Sequence, residues 1–244
     1  MSGATPSTKP STYELSAADR ARTFIVIAAF NEARAIGQVV RELREAAFPN
    51  VVVVDDGSRD DTADQARAAG AVVLTHLINR GQGAALQTGL SYALRAGADY
   101  LATFDADGQH DVADLPAMLG PIMHGEVEIC LGSRFLGVRA KMPKLRRAVL
   151  FGAVLFTRIT SRIKLTDAHN GLRALSRRAA LGIDLQLDRM AHASEIVDQI
   201  ASCGLSYREV PVHIRYTAYS LAKGQKSSAA LRVAFDYLIG RVFR

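Results

Sequence analysis

The chain contains no tryptophan, and aromatic residues make up only 7% of its 244 residues. Single-stranded nucleic acid is usually held on aromatic platforms set among basic residues. No such stripe exists here, so nucleic acid is not an expected partner. Cysteine is scarce too: Cys130 and Cys203 stand far apart, without the spacing of a metal site. Both sit among apolar neighbours and are expected to be reduced, buried fillers in a cytosolic protein. No uninterrupted apolar run approaches the ~20 residues of a membrane-spanning helix, which points to a soluble or peripheral protein. Met1 to Thr12 is rich in Ser, Thr and Pro and has no apolar core, so it reads as a loose tail and not a signal peptide. There is no internal repeat and no clean linker.

What the chain does have is an ordinary globular balance, 49% hydrophobic and 22% charged, with a net charge of +6. That charge suits phosphorylated small molecules or an anionic membrane surface. Thr23 to Phe30, Val51 to Val54, Ala71 to Leu74 and Asp99 to Phe104 are apolar runs of the kind that form strands covered on both faces. Helical spacing lies between them, in Ile36, Val39, Val40 and Leu43, in the polar stretch Asp61 to Ala69, and in Ala84 to Ala96. Strands alternating with helices imply a parallel sheet of right-handed crossovers. The second half is less regular, with a strand at Val127 to Leu131, a basic helical region at Lys141 to Lys164, and a helix at His192 to Ser202. A late strand follows at Tyr207 to Ile214, and its proline suggests a sheet edge. Ser227 to Arg244 has the pattern of an amphipathic helix, with Leu231, Phe235, Leu238 and Val242 on one side.

The chemistry gathers around Phe104-Asp105-Ala106-Asp107-Gly108-Gln109-His110. Side chains two apart in extended backbone point the same way, so both carboxylates can face one point. Hard cations such as Mg2+ take oxygen ligands of this kind and bring substrate phosphates with them. In open parallel sheets, ligands bind outside the carboxyl ends of the strands. Asn31-Glu32, Asp55-Asp56 and Asp105 with Asp107 all fall at such ends. A solvated-loop reading must explain all of these clusters as coincidence, so one shared site is the better expectation.

Ala29-Phe30-Asn31-Glu32, Val54-Asp55-Asp56-Gly57-Ser58, Asn79-Arg80-Gly81-Gln82-Gly83, Asp105-Ala106-Asp107, Gly132-Ser133-Arg134 and Asp167 through Arg173 occur together in that order. In this the chain resembles family 2 glycosyltransferases, and among them the dolichyl- or polyprenyl-phosphate sugar synthases, from about Thr23 to Ile214. The resemblance implies an α/β GT-A fold with a mostly parallel central sheet flanked by helices. It also implies a division into a flexible tail (1–22), a catalytic domain (23–226) and a C-terminal amphipathic helix (227–244) that faces a membrane or a partner. Ala29, Asn31 and Glu32 would lie beside the nucleotide diphosphate, with Asp55 and Asp56 on base and ribose. Gly81, Asp105 and Ala106 would complete the nucleotide-sugar site. Arg80 would stand in for the lysine that relatives commonly carry where this chain has Gln82. Asp105, Asp107 and Gln109 would hold Mg2+ or Mn2+ on the diphosphate. Arg134 and Arg146 would receive the acceptor phosphate, and the loop from Asp167 to Arg173 would close around donor sugar and acceptor. Asp105, Asp107, Asp167 and Arg134 are thus the candidate catalytic residues.

The implied reaction is an inverting, metal-dependent transfer from a UDP-, GDP- or dTDP-linked sugar to a polyprenyl phosphate, at the cytoplasmic face of a membrane. A small membrane-protein partner is plausible in such a system. A phosphate acceptor is already anionic and needs no general base, whereas a saccharide hydroxyl needs a carboxylate to take its proton. Asp167 and Glu195 are the candidates for that second reaction, although a solvated helix position is the plainer reading of Glu195. A sugar nucleotidyltransferase also pairs carboxylates with a metal, but no glycine-rich, lysine-containing loop follows the first strand. A non-catalytic nucleotide-sugar sensor is the remaining alternative. His110, next to the acidic pair, is the histidine best placed for a supporting role, ahead of His169 and His192.

Overall fold

In the computed structural model, which describes residues 13–136, 163, 165–167, 170–186 and 192–215, the apolar runs become the middle of one sheet. Its strands are β1 (Thr23–Ala29), β2 (Asn50–Asp55), β3 (Val72–Thr75), β4 (Tyr100–Asp105), β5 (Ile129–Ser133), β6 (Arg173–Ser176) and β7 (Tyr207–Pro211). They lie in the order β3-β2-β1-β4-β6-β5-β7. The pairs β1–β2, β1–β4, β2–β3 and β5–β7 are parallel, and β6 runs antiparallel between β4 and β5. Pro211, which cannot donate to a ladder, ends the edge strand β7, as its sequence position suggests. The strand β6 was expected only as the end of a polar loop. Four residues with Arg and Ser at the ends carry little strand signal, and pairing on both sides makes them one.

Seven helices are described: α1 (Ala17–Ala21), α2 (Ile36–Glu45), α3 (Thr62–Ala68), α4 (Gln82–Arg95), α5 (Leu115–Met123), α6 (Arg177–Gly182) and α7 (His192–Ser202). Alternation along the strands feeds two cores. One joins Ile25, Ile27, Val51, Val53 and Phe104 to Ile36, Val40, Leu43, Leu115 and Met118. The other joins Val26, Leu101, Ile129, Leu131 and Leu175 to Leu86, Leu90, Ile196 and Ile200. Each such side chain contributes about 1.5–3 kcal/mol when fully removed from water, so the sheet and its flanking helices form a stiff base for the loops at its edge.

Some expectations are corrected. The tail does not extend to residue 22. Tyr13 donates to Glu126 Oε1 at 2.8 Å, Leu15 is buried, and Ser16 and Asp19 close a capping box on α1. Cys130 is buried, and desolvation pushes its thiol up to about 12. Cys203 is exposed, because it follows the last turn of α7, where the apolar stripe has ended. The helix α5 was not expected, since Pro116 and Pro121 obscure its pattern. Pro116 occupies the first turn, where a missing N–H costs nothing. Arg146, His169 and the C-terminal segment 227–244 lie outside the described residues.

Candidate active site

Every strand except β6 delivers its carboxyl end to the same sheet edge. After β1 the chain turns at Asn31, which takes a positive φ of 53°. Its backbone N–H donates to Ser58 Oγ, and its own Oδ1 accepts from Arg59 N, each at 2.9 Å. Glu32 N donates to Thr62 Oγ1 at 2.8 Å. The loops after β1 and β2 are therefore stitched together. Buried Asp55 braces the second of them by accepting from Ser58 N at 3.2 Å.

Asp56 is also buried, and it faces the loop that leads from β3 into α4. It accepts from His76 Nδ1 at 2.7 Å, from Arg80 N at 2.9 Å and from Gly81 N at 2.6 Å. His76 Nε2 reaches Thr88 Oγ1 on α4 at 3.0 Å. Gly81 has φ of 97°, a conformation that side chains other than glycine rarely adopt. Asp56 thus fixes the backbone ahead of the N-terminus of α4, and the Arg80 side chain is left exposed.

Asp105 ends β4, and its side chain is 31% exposed. His110 Nε2 donates to its Oδ2 at 2.8 Å, and Gln82 Nε2 approaches Oδ1 at 3.5 Å. Burial acts to raise the Asp105 pKa. The hydrogen bond and charge of His110, with Arg173 and His192 behind them, outweigh that and bring it below its ordinary value. Asp107 behaves oppositely. Partial burial, then the neighbouring charges of Asp105 and Glu32, raise its pKa. The turn between them is held by Gln109 N, which donates to Asp107 Oδ1 at 3.0 Å, and by Arg215 N, which donates to Gln109 O at 2.8 Å. Asp105, Asp107 and Glu32 thus form a carboxylate-rich point. Among the described residues no group of three or more His, Cys, Asp or Glu is arranged to hold a metal ion by itself. The carboxylate oxygens of Asp105 and Asp107 are donors of the kind that suits a hard divalent ion, one that arrives with phosphate oxygens and needs only one or two protein carboxylates.

On the β5 side, Arg134 grips Asp167 with a two-pronged fork, Nε to Oδ2 at 2.6 Å and Nη2 to Oδ1 at 2.8 Å. Glu209 on β7 supports the same loop, accepting from Thr166 N and Oγ1, each at 2.8 Å, and from Asp167 N at 3.0 Å. The loop returns to β6 through Gly171. A Cβ there would collide with the Asp105 carboxylate, so only glycine allows this approach.

Glu195 is not a solvated helix residue. It is buried and accepts from Gln186 N at 3.2 Å. His192, one turn earlier, is buried as well. The structure therefore brings Asn31, Glu32, Asp55, Asp56, Asp105, Asp107, Arg134 and Asp167 to one edge. Two further residues were not singled out from sequence, His76 and Glu209, and Arg173 was named only as the end of the loop that begins at Asp167. Their signals are weak, because lone charged residues in short strands and loops are usually solvated.

Residues 24–181 match the family described as Glycosyl transferase family 2. An uncharacterized protein of Methanocaldococcus jannaschii is 36% identical over 224 residues, covering 90% of this chain and 92% of that one. A UDP-N-acetylglucosamine--dolichyl-phosphate N-acetylglucosaminyltransferase of Methanococcus voltae is 30% identical over 237 residues, covering 88% and 94%. Among solved structures, glucosyl-3-phosphoglycerate synthase from Mycobacterium tuberculosis with Mg2+ and uridine diphosphate superposes with a TM-score of 0.68 at 18% identity. That match covers 92% of this chain and 84% of that one, and it shows a shared GT-A fold.

Proposed function

Because the chain belongs to glycosyltransferase family 2, we propose that this glycosyltransferase moves a sugar from a nucleotide diphosphate sugar to a polyprenyl phosphate, with inversion. The observation that carries the choice of acceptor is the state of the two candidate bases. Both Asp167 oxygens already receive N–H groups of Arg134, and Glu195 is buried against Gln186 N. Neither is a carboxylate standing open to take a hydroxyl proton. A phosphate monoester needs none, since its attacking oxygen is already anionic. Relatives with polyprenyl-phosphate acceptors in their names support the same reading.

Asn31, Glu32 and Asp55 flank the nucleotide, and the loop fixed by Asp56 presents Arg80 and Gly81 to it. Asp105 and Asp107, with Gln109, would hold Mg2+ or Mn2+, which would supply charge neutralisation for the departing diphosphate. Arg134 and Arg146 receive the acceptor phosphate, and Arg134 can share its fork between Asp167 and that phosphate. The acceptor oxygen attacks the anomeric carbon on the face opposite the leaving group. Among the described residues no helix is long and apolar enough to cross a membrane. We place the enzyme peripherally, on the cytoplasmic face where a lipid phosphate is reached, with residues 227–244 as its contact to lipid or to a small membrane protein.

The test is a radiolabelled transfer assay with UDP-, GDP- and dTDP-sugars, polyprenyl phosphate in detergent and Mg2+ or Mn2+, with Asp107→Ala as control. Label entering the lipid phase, abolished by chelator and absent from the control, is the expected result. Nucleotide release without lipid labelling would refute the acceptor and favour a saccharide hydroxyl.

A further inference from the structure

Arg173 opens β6 and is 3% exposed. Its neighbour Ala174 faces the core that contains Phe104, while Leu175 faces the core that contains Leu101. Alternation therefore puts Arg173 on the Leu101 face. On β4 that face continues through Thr103, the register partner of Arg173, to Asp105. The guanidinium thus starts one pleat repeat, about 7 Å, below the Asp105 carboxylate.

A buried guanidinium ordinarily spends its five N–H groups on carboxylates, carbonyls or water. That of Arg173 makes no hydrogen bond among the described residues, and its Nη1 is wholly buried without a partner. Burial depresses its pKa to about 10, while the charges of Asp105 and Asp167 act to raise it, so it stays cationic at neutral pH. Unsatisfied donors of this kind are costly. One that persists beside a partly open carboxylate marks a place for a group that the described residues do not supply.

The local charge selects what that is. Asp167 is already engaged by the Arg134 fork, so Arg173 and the partly open Asp105 remain to offer a donor and an acceptor side by side. A hydroxyl suits both signs, since its oxygen accepts from the guanidinium while its proton goes to a carboxylate. A polyhydroxyl ring has several such groups.

We propose that Arg173 is the floor of the pocket for the transferred sugar, donating through its unpaired N–H groups to a ring hydroxyl and so reading the donor's hydroxyl pattern. This rests on the donor reading above. It concerns the sugar alone and leaves the nucleotide contacts elsewhere.

The experiment compares, by calorimetry with Mn2+, UDP-N-acetylglucosamine and UDP-glucose against UDP, and GDP-mannose against GDP. Wild type and Arg173→Lys are measured side by side, because lysine keeps the charge and loses the fork. The expected result is nucleotide diphosphate affinity within about twofold of wild type, and affinity for the preferred nucleotide sugar lower by about 10- to 100-fold, the loss of a hydrogen bond to a charged group. Equal weakening of both ligands, or of neither, overturns the inference and leaves Arg173 a structural residue. Failure of wild type to bind any of these nucleotides overturns the donor reading itself, and this inference with it. Should Arg173→Lys fold poorly, wild type is titrated with donors lacking one hydroxyl each. One deletion must then cost about tenfold or more, and a series without such a loss overturns the proposal.

Discussion

Replacing Asp167 with alanine removes both carboxylate oxygens that the Arg134 fork holds. The two side chains are 14% and 1% exposed, so the pair is nearly dry. Besides the fork, Arg134 N donates to Asp167 Oδ2 at 3.2 Å. Taking one partner from a buried pair removes the main compensation of the remaining charge, at a cost of about 3–5 kcal/mol. Arg134 keeps some access to water, which argues for the lower end, about 3 kcal/mol. In a domain of this size each kcal/mol moves Tm by about 2–4 °C, so the melt should fall by about 6–12 °C. The double variant Arg134→Met with Asp167→Ala strands no charge. It should melt above the Asp167→Ala single, which gives a favourable coupling in a thermodynamic cycle. Thermal melts of the four proteins decide this, and simple additivity would refute the idea that the fork is a unit. The conservative variant Asp167→Asn separates clamp from base. It still offers Arg134 one acceptor, so a clamp role predicts a fall in kcat of less than about tenfold, whereas loss of a general base costs about 100- to 10,000-fold.

Gly171→Ala should lower Tm by a few degrees, consistent with the ~1–3 kcal/mol of overpacking. It should also cut transfer sharply, because the only relief for the new methyl group is displacement of Asp105; wild-type kcat in this variant would contradict the packing argument. Asp56→Ala strands the N–H groups of Arg80 and Gly81, at about 1–3 kcal/mol for each that remains buried. Amide exchange should accelerate at those two residues, and unchanged protection there would count against the anchoring role. His213 donates to Asp114, whose hydrogen bond and charge raise the histidine's pKa. That stabilisation is complete below the ordinary histidine value of about 6.5 and is lost as pH rises through the raised one. Asp114→Asn should therefore flatten the decline of Tm on going from mildly acid to alkaline buffer. The effect is small because the His213 side chain is 79% exposed, and an identical pH profile in the variant would refute it.

The legible parts of this molecule are those where one physical demand dominates. Val51 to Val54 can only be a strand covered on both faces, and the carboxylates that follow such strands must meet at one edge once the sheet is parallel. That logic places Asn31, Asp55 and Asp105 with no knowledge of contacts. It fails where a polar residue is buried by partners distant in sequence. Arg173 and Glu195 look like solvent-facing residues by composition, and only the antiparallel insertion of β6 and the packing of α7 bury them. Asp56 shows a subtler failure. Its position at a strand end is readable, but its direction depends on His76 and on two backbone N–H groups of a loop more than twenty residues away. Cys203 errs the other way, since apolar neighbours on a helix imply burial only while the buried stripe lasts. The shared cause is that local pattern reports which elements exist, whereas ionic partners are set by topology. The clearest case is the 173 position. A guanidinium there is intelligible only after the sheet order is known, because β6 alone lies between the Asp105 strand and the strand that leads into Arg134.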